Sequence, residues 1–346
     1  MKPLQLTLLF VLLLPTGVAA QRAVLPCEEP NIAVAADGSG VWFVCFRNLA
    51  AIRKAREHGQ PPPAAYETPT DLYWLDTATH VPVKIASANA IIRVVAAPSG
   101  SLTLIVMPRQ TGSSRVLLYN RKQELKELPL DDTFLLWSSD ARRLYFYGGR
   151  TVQADAWNIL GIYDLDKNTS NRAKLIEPTE ILGVCPATGN VYSTTPQYPG
   201  FAGSTVEYTP TIHFVSRISK WIGARFSTQC KYVASSSDYH GPLPWSIYDT
   251  SSGKQLFKFA FSDSDIKGDM YSLVSWNPKH DTILLREHIS KDWKESLEVF
   301  DVQSGHVLQK LGTANAPAWS ADGNSIIVAN GNQLSWIPAD LGDNSK

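Results

Sequence analysis

One short pattern returns seven times in this chain, and it limits the fold more than any other feature. An apolar strand runs into a tight turn of Ser, Asp, Pro or Gly, and a second apolar strand follows. It reads Ile32-Ala33-Val34, a turn, then Val41-Trp42-Phe43-Val44. It comes back at Ala97-Pro98-Ser99-Gly100, Trp137-Ser138-Ser139-Asp140, Pro186-Ala187-Thr188-Gly189, Phe226-Ser227-Thr228-Gln229, Trp276-Asn277-Pro278-Lys279 and Trp319-Ser320-Ala321-Asp322-Gly323. Each is a hairpin signal, a turn cluster between β-rich runs. A second pattern lies between these: an apolar strand ending in an aromatic or Leu and then Asp or Asn. Examples are Tyr73-Trp74-Leu75-Asp76, Leu118-Tyr119-Asn120, Ile162-Tyr163-Asp164, Ile247-Tyr248-Asp249 and Val299-Phe300-Asp301. The terminal Asp or Asn accepts hydrogen bonds from the backbone two residues on and so holds a turn.

Spacing makes these patterns a repeat. Asp76 and Asn120 are 44 residues apart, as are Asn120 and Asp164. The interval from Asp164 to Asp249 is about twice as long and fits one degenerate unit, with Ile212-His213-Phe214-Val215 at the missing place. Each unit reads as a meander of strands A, B, C and D, and a period of this length with this strand content means a propeller. Helical repeats would show a 3.6-residue period, and a sandwich would not repeat one motif seven times. The expectation is an all-β, seven-bladed β-propeller of four-stranded antiparallel blades. Unit seven runs out after strand C at Leu334 to Ile337, so the strand-like segment Arg22 to Leu25 is expected to supply its fourth strand.

Pro317-Ala318-Trp319-Ser320-Ala321-Asp322-Gly323, running on into Ile326-Ile327-Val328, resembles the TolB-type or WD40-like (PD40) β-propeller repeat. The hairpin of that family reads Pro-x-Trp-Ser-Pro-Asp-Gly, and Ala321 takes the place of its second Pro. The resemblance covers nearly all of residues 21–346. It implies the fold, and it hints at a structural member of an envelope complex. Function has to be argued from sites.

Residues 1–20 read as a secretory signal peptide. Lys2 gives the positive charge, Leu4 to Leu14 the apolar run, and Val18-Ala19-Ala20 the small residues before cleavage. That apolar run falls short of the roughly 20 residues a spanning helix needs. A single propeller domain over 21–346, secreted or periplasmic and without membrane insertion, is the expectation. Lys plus Arg number 32 and Asp plus Glu 32, without a basic block, which argues against nucleic acid. Four cysteines in an exported chain suggest two disulfides, Cys27 with Cys45 and Cys185 with Cys230.

In an antiparallel meander the A–B and C–D turns share one end, and the B–C and D–A connections share the other. The B–C segments look long in most units: 47–70, 148–158, 195–210, 236–244 and 288–295, the first with a short helix around Ala50 to Glu57. Long loops on a rigid scaffold are where function concentrates. They carry Arg53, His58, Tyr66, Trp157, Tyr198, Phe201, Tyr208, Tyr239, His240, His288 and Trp293, the residue types that anchor recognition surfaces. The reading is a binding module for a protein, peptide or glycan.

The chain lacks Gly-x-Ser-x-Gly, HExxH, CxxCH and phosphate-loop motifs, which argues against an enzyme. A lyase or lactonase-type hydrolase with an acid–base site at the channel mouth, or a metal there on His58, His240 and His288, is the rival. No cofactor is expected. A weak calcium pattern lies in Asp263, Asp265 and Asp269, with Lys267 at a ligand position, and a weaker one in Asp164 and Asp166. His80, His280 and His306 fall in turns at the other end and read as solvent-exposed.

Overall fold

A computed structural model describes residues 21–342 apart from 29, 35–38, 61–67, 92, 99, 109–113, 131–134, 148–158, 176–180, 195–203, 220–221, 237–244, 260–269 and 290–293. The strands fall into seven four-stranded antiparallel sheets. Blade one holds β2 (Asn31–Val34), β3 (Gly40–Phe46), β4 (Pro69–Asp76) and β5 (Pro82–Asn89). Blade two holds β6 (Arg93–Ala96), β7 (Leu102–Pro108), β8 (Ser114–Asn120) and β9 (Glu124–Leu128). Blade three holds β10 (Leu135–Trp137), β11 (Arg143–Tyr147), β12 (Ile159–Asp164) and β13 (Thr169–Lys174). Blade four holds β14 (Ile181–Val184), β15 (Val191–Thr194), β16 (Ser204–Tyr208) and β17 (Phe214–Ser219). Blade five holds β18 (Ile222–Phe226), β19 (Tyr232–Ser236), β20 (Trp245–Asp249) and β21 (Gln255–Phe259). Blade six holds β22 (Met270–Trp276), β23 (Thr282–Ile289), β24 (Lys294–Asp301) and β25 (His306–Lys310). Blade seven takes β26 (Asn315–Trp319), β27 (Ser325–Asn330) and β28 (Gln333–Pro338) from the end of the chain and β1 (Gln21–Val24) from its start. Thus β1 pairs antiparallel with β28, Gln21 opposite Trp336, and closes the ring as the sequence implied.

Each blade packs on a neighbour through both faces, which explains why its inner strands read as continuous apolar runs rather than alternating ones. In β3, Val41 and Phe43 pack with Ile327 and Trp336 of blade seven, while Trp42 and Val44 pack with Ile105 and Leu117 of blade two. The buried apolar side chains form seven clusters, one for each junction between blades. Burying one such side chain stabilises the fold by roughly 1.5–3 kcal/mol.

Side-chain bonds add a second layer at the junctions. Trp137, Trp276 and Trp319 end strand A of blades three, six and seven. Their indole N–H groups donate to the main-chain carbonyls of Val95, Arg225 and Ser275, at 3.0, 2.8 and 3.3 Å. Each acceptor is the penultimate strand-A residue of the preceding blade. Blades one to two and three to four use other donors: the Trp42 indole to the Gly100 carbonyl at 3.5 Å, and the Tyr145 hydroxyl to the Pro210 carbonyl at 3.0 Å. The two remaining junctions carry the disulfides. Cys27–Cys45 ties the segment after β1 to blade one, and Cys185–Cys230 ties blade four to blade five.

Four expectations change. Strand C of the fourth unit is β16, which ends at Tyr208 with Thr209 next in the chain, so Ile212–Val215 belongs to the next turn and β17. Thr209 takes the cap position held elsewhere by Asp, and its Oγ1 accepts the His213 N–H at 3.0 Å. Tyr208 is only 1% exposed, because it packs with Tyr145 and Val206 in the junction between blades three and four. In blade six, β23 and β24 pair as far as Ile289 opposite Lys294, so the B–C connection there shrinks to 290–293. His80 and His280 are half-buried rather than exposed, and the His80 ring is stacked on Trp336 with centroids 5.3 Å apart.

Candidate functional site

The two ends of the disc differ in regularity. At the turn end every A–B connection is five or six residues, and the C–D connections of blades one to six are three to five. The B–C connections of the other end range from two residues (331–332) to twenty-two (47–68), and the D–A connection 260–269 joins them there.

Uniformity at the turn end follows from side-chain caps. Asp76 accepts the N–H groups of Ala78 and Thr79, Asn120 those of Lys122 and Gln123, and Asp301 those of Gln303 and Ser304. In the A–B turns Ser138 and Ser320 donate to Asp140 and Asp322, at 2.5 and 2.6 Å. These groups are occupied by the fold. The Asp164 turn belongs with them, since its carboxylate takes the Lys167 N–H. Among the described residues no group of three or more His, Cys, Asp or Glu could hold a metal ion.

At the loop end, α1 (Leu49–Glu57) occupies the B–C connection of blade one, as expected from the sequence. It carries the candidate binding residue Arg53, and the candidate His58 follows its last residue. The Arg53 guanidinium donates to the Glu28 carboxylate at 2.8 Å, so it clamps the helix to the closing segment beside Cys27. His58 Nδ1 lies 2.7 Å from the Lys54 carbonyl and finishes the helix. Beneath them the buried Asp71 carboxylate meets Lys84 at 3.0 Å and Arg47 at 3.5 Å. His288 lies on β23 opposite Glu295, in the ladder rather than in a loop. Tyr66, Trp157, Tyr198, Phe201, Tyr239, His240 and Trp293, with Asp263, Asp265 and Asp269, lie outside the described residues.

The turn end has a concavity that sequence reasoning missed. A cleft of about 410 Å³ lies between strand D of blade five and the C–D turn of blade six. Tyr232, Leu256, Phe257 and Val302 are its apolar lining; Lys231, Asp249, Lys254 and Gln303 are polar. A neighbouring hollow of about 270 Å³ shares Lys231 and Gln303 and adds Lys279, His280 and Leu341. On the shared ridge the Asp281 carboxylate accepts from Lys231 at 3.2 Å and from Gln303 at 3.0 Å. The Tyr232 phenol and then Asp281 hold the Lys231 ammonium above its ordinary pKa. The cleft joins residues from different blades, so no local sequence window contains it.

No family model matches the chain, and no curated protein matches it. Solved structures do. A chain of Kuenenia stuttgartiensis hydrazine synthase aligns over 92% of this chain and 98% of its own length, with a TM-score of 0.59 at 12% identity. A chain of the mitotic checkpoint complex covers 92% of this one and 91% of its own, with a TM-score of 0.57 at 10% identity. The Dos1 propeller aligns over 89% of this chain and 78% of its own, with a TM-score of 0.53 at 11% identity. Likenesses at this identity show the fold alone.

Proposed function

We propose that this chain is an exported propeller that recognises a protein, peptide or glycan partner through its B–C loop end. The observation that carries the reading is the inequality of the two ends. Capped turns of nearly constant length make one end, and connections of two to twenty-two residues make the other. Variation confined to one end of a rigid scaffold is the mark of a surface selected for contact. Tyr66, Trp157, Tyr198, Phe201, Tyr239, His240 and Trp293 fall in those connections, as aromatic anchors with polar neighbours. Export is supported by the leader-like pattern of residues 1–20 and by two disulfides, which persist in oxidising compartments. No helix among the described residues is long and apolar enough to cross a membrane.

The test is a triple substitution, Trp157→Ala, Tyr198→Ala and Trp293→Ala, followed by capture of native partners from an extract of the source organism. The reading expects capture to fall by at least about tenfold, as the loss of hot-spot aromatics does, with the thermal transition unchanged. Capture at the wild-type level would overturn it.

A further inference from the structure

We infer that the adjoining hollows at the turn end of blades five and six form a second binding site, one that takes an extended acidic peptide segment with an apolar side chain. It lies at the end of the disc opposite the loops, and every residue lining it is among the described ones. Tyr232, Leu256, Phe257 and Val302 give the larger hollow, of about 410 Å³, an apolar lining. The fold holds that lining in place. Phe257 packs edge-on to Phe300 with centroids 5.4 Å apart, and it lies so near Gly305 that a Cβ there would come within 2.5 Å of its ring. Backbone bonds from the Thr250 N–H to the Lys231 carbonyl and from the Val302 N–H to the Asp281 carbonyl, both 3.0 Å, tie the C–D turn of each blade to its A–B turn. A preformed apolar hollow with a few placed polar groups is the usual form of a ligand site.

The charged groups around the hollows differ in what they have left to bind. Each carboxylate is already served. Asp249 takes the Ser251 and Ser252 hydroxyls and the Ser252 N–H, and Asp301 takes the N–H groups of Gln303 and Ser304. Asp281 takes the Lys231 and Gln303 side chains. The exposed ammonium groups of Lys254, at the larger hollow, and Lys279, at the smaller one of about 270 Å³, have no acidic partner among the described residues. What the site lacks is negative charge. The ridge between the hollows suits a peptide backbone: Gln303 donates one of its two amide N–H groups to Asp281 and keeps the other, with its carbonyl oxygen, for a ligand. Alternate residues of an extended segment lie on one face about 7 Å apart. An apolar side chain seated in the larger hollow therefore sends a second side chain, two residues along, towards the smaller one and Lys279.

Isothermal titration calorimetry of the purified protein at low ionic strength tests the inference. The probes are N-acetyl-Glu-Phe-Ser-Glu-amide and the same peptide with Gln, or with Lys, at both Glu positions. The Glu peptide is expected to bind most tightly and the Lys peptide least. The Lys254→Gln/Lys279→Gln variant should keep the wild-type thermal transition, because neither ammonium has a partner to lose. Its affinity for the Glu peptide should fall by at least about threefold, to the level of the Gln peptide. At about 1 M salt the Glu and Gln peptides should bind the wild type alike. Three results would overturn the inference: no measurable binding of the Glu peptide, a Lys peptide that binds as tightly, or a preference for Glu that survives in the double variant. These proteins keep every loop aromatic, so this site and the loop-end reading fail independently.

Discussion

Single residues set how closely neighbouring blades approach. The Trp137 indole is 5% exposed and reaches the Val95 carbonyl at 3.0 Å. Trp137→Phe keeps most of the apolar contact and removes that hydrogen bond, whose net loss costs about 0.5–1.5 kcal/mol. The Trp276 bridge is equally short but solvent-exposed, so water replaces it. Thermal unfolding should therefore show Trp137→Phe to be the more harmful of the two; equal shifts would mean that the bridges add nothing beyond apolar packing. Gly305 offers a sharper comparison. It and Gly253 occupy equivalent C–D turns with φ of +74° and +67°. A Cβ on Gly305 would meet the Phe257 ring at 2.5 Å, whereas one on Gly253 would meet nothing within 4 Å. Both alanine variants bear the left-handed backbone cost of about 1–2 kcal/mol. Gly305→Ala adds a steric cost, so its denaturation midpoint should fall clearly below that of Gly253→Ala.

At the scale of elements, β1 is the test case. It was legible because a strand-like segment precedes Cys27 while the seventh unit runs out after β28. In the fold Ala23 and Leu25 join Leu334 and Trp336 in the cluster between blades seven and one. Removing residues 21–24 exposes that cluster and leaves β28 as an unpaired edge, a template for aggregation. Such a truncated chain should lose its sharp unfolding transition and form oligomers in gel filtration; a monomer with an unaltered transition would show that the closure is dispensable. Other elements were less legible. Blade four hid its strand C because Thr209 does the work of the usual Asp. The ends of β23 and β24 looked like loop because His288, Lys294 and Glu295 are polar, although the hairpin pairs them across the ladder. Polar composition alone does not separate a paired strand end from a loop, because pairing is made by the backbone.

Across the whole molecule, the repeat was legible and the concavities were not. Lys231, Asp281 and Gln303 come from three turns in two blades, and only the packing of blade six on blade five brings them to one ridge. The same assembly places a set of stabilised carboxylates at one end of the disc. The Ser251 hydroxyl, with the N–H and hydroxyl of Ser252, holds Asp249 at about 2, down from 3.8. The Lys167 N–H lowers Asp164, although burial works slightly against it. Asp140 and Asp322 are also lowered: burial is the largest influence and opposes ionisation at both, and it is outweighed only jointly, by the Ser138 hydroxyl, the Arg142 N–H and the charges of Arg143 and Arg142 at the first, and by the Ser320 hydroxyl with the Asn324 backbone and side chain at the second. Lowered folded values mean that these groups favour the native state above about pH 4, and that the contribution disappears as pH falls through the depressed values. Stability should therefore decline between about pH 4 and pH 2. Asp249→Asn separates charge from cap, since Asn120 already fills the equivalent place in blade two with both backbone bonds intact. That variant should unfold along a shallower acid curve than the wild type while retaining much of its stability at pH 7. An unchanged acid slope in chemical denaturation would show that Asp249 is protonated alike in the folded and unfolded chain, and that the turn caps work by geometry rather than charge.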